Sequence, residues 1–170
     1  MQDSFITIMA IMIALILMFV VPFMATANQN DRLTKSNVQT IVDNFTNTVA
    51  REGKITDSTY RDLVQSLDST GNTYAVNMEV QVFDQNPSSL KGSSVIGENE
   101  HYSDFTSTIV SEIDNKGVYQ LHQGDFVIVN VKNTNVTMGT KLKNFLYSIM
   151  GKDTIAIEVS SSTMISKNGY

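Results

Sequence analysis

The side chains that could do chemistry in this chain are few and scattered. There is no cysteine, which excludes disulfides, thiolate metal sites and thiol nucleophiles. The two histidines, His101 and His122, stand apart, and neither has the His-x-x-x-His or His-Glu spacing that a metal needs. Each reads as a solvent-exposed loop residue. Serine is abundant without a Gly-x-Ser-x-Gly elbow, and Ser160-Ser161-Ser162 read as an exposed strand end. No glycine-rich phosphate loop is present. Asp57, Asp62 and Asp68 fall on a helix, where capping and solvation explain them. Asp84, Glu98, Glu100 and Asp104 flank an irregular stretch and could ligate calcium, but the EF-hand spacing is missing. Asn44-Phe45-Thr46 and Asn135-Val136-Thr137 match the glycosylation sequon by chance, since Phe45 belongs on a buried helix face. The pattern is that of a non-catalytic chain with no metal, no cofactor and no evident small-molecule substrate.

Charge narrows the partners further. The net charge is −5, from 12 basic and 17 acidic residues. No basic cluster could neutralise a run of phosphates, so nucleic acid is not an expected partner.

The elements around these residues fall into two populations. From Phe5 to Ala27 the chain reads FITIMAIMIALILMFVVPFMATA, with no charge. At the helical rise these residues span about 34 Å, enough for a hydrocarbon core of about 30 Å. Residues 1–27 are therefore expected to be a retained, single-pass membrane anchor. A cleaved signal peptide is the competing reading. It has Ala25-Thr26-Ala27 as a possible cleavage site, but lacks a basic segment before the apolar run. Pro22 removes a backbone donor and clashes with the Met18 carbonyl, which predicts a kink. Arg32 and Lys35 follow the span and weakly favour a cytoplasmic C-terminal side. The cysteine-free, Ser/Thr/Asn-rich remainder, residues 28–170, fits an extracytoplasmic domain instead.

That domain reads as α+β. Leu33, Val38, Ile41, Val42, Phe45 and Val49 recur at helical spacing, with Gly53 as the stop. The anchor and this stretch could form one long helix, transmembrane in its first half and amphipathic in its second, unless Asn28, Asn30 and Asp31 interrupt it. Thr56-Asp57 caps a short helix carrying Tyr60, Leu63, Val64 and Leu67 on one face. Tyr74, Val76, Met78, Val80 and Val82 alternate with Ala75, Asn77, Glu79 and Gln81, the mark of a half-buried strand. Residues 84–101 form an irregular loop. Phe105, Ile109, Val110 and Ile113 suggest a helix closed by Asn115-Lys116-Gly117. Phe126 to Val131 is a second strand. Leu142, Phe145, Leu146 and Ile149 suggest a short helix, and Ile155 to about Met164 a last strand. The expected architecture is the long helix packed on a small antiparallel sheet of three to four strands with short helices.

An apolar N-terminal helix running into an amphipathic one and then a small sheet domain resembles the type IV pilin-like class. The run VDNFTNTVAREGKITDSTYRDLVQSL is similar to the segment after the anchor in TadE-like pseudopilins of tight-adherence (Tad) pilus systems. GDFVIVNVKNTN and NFLYSIMGKDTIAIEVSSSTMIS are similar to that family's closing strands. The resemblance covers most of the chain through patterns of low specificity. It implies a membrane-anchored minor pilin or pseudopilin in a surface pilus or secretion filament, packed against other pilin-like subunits through its N-terminal helix. The packing residues it implies are Phe5, Ala10, Ala14 and Pro22. Ala10 and Ala14 lie one turn apart and permit close approach. Pro22 stands where that class has a kink proline. Phe5 stands where pilins usually carry a glutamate, Asp3 is the only nearby acid, and no prepilin leader is visible. These departures fit a minor or initiating subunit rather than a major one. A second reading from the residues stays open: a stand-alone anchored binding or sensor domain that recognises its ligand through loop 84–101.

Overall fold

A computed structural model describes residues 2–83, 101–135, 144, 148 and 157–169. The elements run α1 (Gln2–Glu52), β1 (Lys54–Thr56), α2 (Asp57–Asp68), β2 (Tyr74–Phe83), β3 (His101–Phe105), α3 (Thr106–Lys116), β4 (Val118–Gln120), β5 (Phe126–Asn133) and β6 (Glu158–Met164). The chain divides into two compact units. The described part of the first is α1 as far as Thr34, and the second comprises Lys35–Asn135 and Ala156–Tyr170. Hydropathy places a boundary at 27/28, whereas packing places it at 34/35.

The expected α+β architecture is present, with additions. α1 is helical without a break over 51 residues. It runs through Asn28, Asn30 and Asp31, where an interruption was expected. Each such residue costs at most about 0.7 kcal/mol against alanine, too little to stop a helix that gains a hydrogen bond per residue added. Its last turns bury Val38, Val42, Phe45, Thr46, Val49 and Ala50. Leu33 does not join them and is 62% exposed. Five residues before Val38, it lies about 140° around the helix from that stripe. Gly53, at φ 67°, ends the helix and donates its N–H to the Val49 carbonyl at 2.8 Å.

α2 begins on a reciprocal cap. The Thr56 hydroxyl accepts from the Thr59 N–H, and Thr59 Oγ1 accepts from the Thr56 N–H at 2.9 Å. Leu63 and Leu67 are its buried residues. α3 buries Ile109 and Ile113 and closes on Gly117, at φ 77°. Phe105 is not on the buried face of α3 as the spacing predicted. It is the last residue of β3, opposite Glu79 and 59% exposed.

The main sheet has strand order β3-β2-β5-β6, antiparallel throughout. Its register sets Val80 beside Val127, Met78 beside Val129 and Val76 beside Val131, so one face carries the apolar set. That face meets α1 residues from Val38 onward together with Ile109 and Ile113 of α3, forming one core. Asn77, Glu79 and Gln81 lie on the opposite face, as expected of an antiparallel sheet with one wet side. β1 and β4 form a second, two-stranded sheet in which Ile55 opposes Tyr119, both buried.

Ser160-Ser161-Ser162 lie inside β6 rather than at its end, paired with Asn130, Val129 and Ile128. Ser161 points inward, its hydroxyl 3.1 Å from that of buried Thr46. After β6 the chain returns to the end of α1. Ser166 donates to the Ala50 carbonyl, and Gly53 and Gly169 cross so closely that a Cβ on Gly169 would lie 2.0 Å from the Gly53 oxygen. The short helix expected around Leu142 to Ile149, Ile155 and residues 84–100 of the expected loop lie outside the described residues, Asn144 and Ser148 apart.

Candidate functional site

The apolar part of α1 is the first candidate surface. A window within it has mean hydropathy 2.9 and is 0% buried. Phe5, Ile8, Ile11, Leu15, Met18 and Phe19 are each more than half exposed. This helix is long and apolar enough to cross a bilayer once. Pro22 sits inside it, and the Thr26 hydroxyl donates to the Pro22 carbonyl at 3.0 Å. That bond hides a polar hydrogen that would be costly in hydrocarbon.

The four residues implied for helix packing all fall on α1, and the helical repeat separates them. Ala10 and Ala14 share a stripe about 40° wide. Phe5 stands about 140° from Ala10, and Pro22 about 80° beyond Ala14. Only the alanine pair can meet one neighbouring helix as a unit.

The polar groups of the domain are tied into the fold. Asp125, 1% exposed, accepts from the Phe83 N–H at 2.9 Å and the His122 N–H at 2.8 Å. Its carboxylate also lies 3.8 Å from His122 Nδ1. It therefore joins the end of β2 to the turn before β5. The Tyr119 hydroxyl donates to Asp104 Oδ2 at 2.6 Å. Burial, and then this bond to a carboxylate, push the Tyr119 phenol well above its ordinary value of 10. Asp104 is thus engaged by Tyr119, while Asp84, Glu98 and Glu100, the other proposed calcium ligands, lie outside the described residues. Among the described residues no group of three or more His, Cys, Asp and Glu could hold a metal ion.

The hollow between α1 and α2, lined by residues including Asn44, Thr48, Thr59 and Asp62, brings one carboxylate and no second titratable group. It offers no acid–base pair. The hollow over α3 is lined by Thr106, Ser107, Val110, Ser111, Asp114 and Asn115 and is likewise supplied with a single acid.

The sequence pointed to the apolar span but not to Asp125 or to the Tyr119–Asp104 pair. Asp125 follows Gly124 and reads locally as a strand opener, while its partner Phe83 is 42 residues away. The usable signal was an acid placed next to an uninterrupted apolar strand.

No family model, characterised protein or solved structure matches this chain. Functional inference therefore rests on the chain's own geometry.

Proposed function

We propose that the chain is a membrane-anchored, non-catalytic, pilin-like subunit of the minor or pseudopilin kind. It takes part in assembling a surface pilus or secretion filament, with its α+β domain on the extracytoplasmic side. The observation that carries this reading is the construction of α1. One helix holds an apolar half exposed on all sides and a second half whose single apolar stripe enters the core of a small sheet domain. Such a helix fixes a small domain at a membrane and offers the Ala10–Ala14 stripe to the helices of other subunits. The similarity of VDNFTNTVAREGKITDSTYRDLVQSL and the closing strands to TadE-like pseudopilins supports the same reading.

N-terminal sequencing of the membrane-extracted protein, with immunodetection in sheared surface filaments, tests it. A processed terminus together with recovery in the sheared fraction is the expected result. An unprocessed chain that stays wholly in the cell membrane and crosslinks to no other small anchored subunit would remove the filament reading.

A further inference from the structure

The main sheet leaves two open edges, and the hydrogen-bond pattern shows which backbone groups stand on them. In an antiparallel ladder, alternate residues turn both N–H and C=O toward the same neighbour. At the two ends of the β5–β6 ladder, the Ile165 N–H donates to Asp125 O and the Asn133 N–H to Ile157 O. Residues 157, 159, 161, 163 and 165 therefore face β5. Glu158, Ser160, Ser162 and Met164 face away from it, toward the edge.

On the other side, the Thr134 N–H donates to Thr73 O, so odd-numbered residues of β2 face β5 and Val80 and Val82 face β3. They pair with Asp104 and Tyr102. The backbone groups of His101, Ser103 and Phe105 consequently stand on the second edge.

Sheet edges are usually blunted by lysine, proline, a bulge or a covering element. β6 reads EVSSSTM, with no lysine or proline, and its one-to-one register with β5 contains no bulge. Among the described residues its cover is one side chain. The Gln39 amide, held by Asp43 Oδ1 at 2.9 Å, reaches the Ser160 carbonyl at 3.4 Å.

Direction selects the occupant. Each strand runs opposite to its neighbour, so across the order β3-β2-β5-β6 the outer strands β3 and β6 also run opposite ways. A second copy brought alongside by translation alone presents its β3 antiparallel to β6. Copies anchored in one membrane share one sense, which translation in the membrane plane preserves.

We propose that the β6 edge receives the β3 edge of a second copy of this chain, so that neighbouring anchored subunits extend one antiparallel sheet. This rests on the anchored reading of α1. With Ser162 opposite the second copy's Ser103, Ser160 meets Phe105, Met164 meets His101 and Ser161 meets Asp104. No like charges oppose each other, which is the condition a cross-strand pairing must satisfy. Ser103 and Ser162 are both exposed and both on the wet face of the sheet.

The absence of native cysteine makes the test direct. Full-length S103C and S162C chains, carrying different tags, are co-expressed and oxidised in their own membranes, with S111C on exposed α3 as control. The expected result is a mixed S103C–S162C adduct, and a ladder from the double variant, with S111C uncrosslinked. Adding S160P removes an N–H that points to the edge and leaves the β5 ladder intact. It should abolish the ladder while the unfolding temperature holds, whereas S161P removes a ladder donor and should lower that temperature. No mixed adduct in a chain that resists carbonate extraction overturns the proposal, as do S162C–S162C adducts in excess of the mixed one. A chain released by carbonate sinks the anchored reading instead, whatever the crosslinks show.

Discussion

The two halves of α1 are built on the same backbone to opposite plans. Between Phe5 and Phe23 large apolar side chains point in every direction and stay exposed. Between Val38 and Ala50 they are confined to one stripe, and that stripe is buried. An all-round apolar helix has no wet face and needs an apolar medium, whereas a striped helix needs one apolar surface. Gradual dilution of hydrophobicity along the helix does not describe the change. The number of faces that must leave water is what differs.

Substitutions at matched positions in the two halves should have separable consequences. The largest effect is expected for Phe45→Ala, which hollows the core where α1 meets the sheet. A loss of about 3–5 kcal/mol would appear in thermal or denaturant unfolding of the domain, with membrane sedimentation unchanged. Leu15→Arg is the converse: a central arginine costs insertion about 3 kcal/mol. The expected result is a larger carbonate-extractable fraction with domain unfolding unaltered. If either variant changed both readouts equally, the two halves would not be independent.

Tyr119→Phe tests the domain half alone. It removes a hydrogen bond to a carboxylate, worth about 1.5–3 kcal/mol, and it also removes a pH dependence. In the folded domain the Tyr119 proton is held above its ordinary value of 10. Above that pH the unfolded chain binds fewer protons than the folded one, so stability falls as pH rises. Stability is complete below about pH 10. The wild-type chain should lose stability through the alkaline range, and the variant should lose less, as read by urea midpoints on both sides of pH 10. The smallest effect is expected for Thr56→Ala, which removes the α2 cap at a cost of about 1 kcal/mol and leaves membrane association untouched.

How far these features were legible in the sequence follows from the physics of each signal. The apolar span, the stripe Val38–Val49, the α2 cap and the alternation of β2 are local patterns, and each is present at the residues expected. β1 and β4 are too short to show alternation, and they exist because Ile55 and Tyr119 bury against each other across 64 positions. β3 reads HYSDF, which has no apolar period because its Asp104 is satisfied by Tyr119. Its existence is decided by pairing with β2. Ser161 looked like an exposed terminus because its partner, Thr46, lies 115 residues earlier. Of the candidate packing residues, the Ala10–Ala14 stripe follows from spacing alone, whereas Phe5 and Pro22 were added by family resemblance and stand elsewhere on the helix.

The crossing of Gly53 and Gly169 has a consequence for the order in which the protein is made. The base of α1 is closed by Ser166, which bonds Ala50 over a separation of 116 residues. At about 5–20 residues per second, a ribosome needs roughly 6–23 s to supply that partner after the helix has emerged. During that interval the anchor can already sit in the bilayer while Val42, Phe45 and Val49 wait, uncovered, for strands not yet translated. The interfacial region of the membrane, or a holding chaperone, has to shelter that stripe until synthesis catches up.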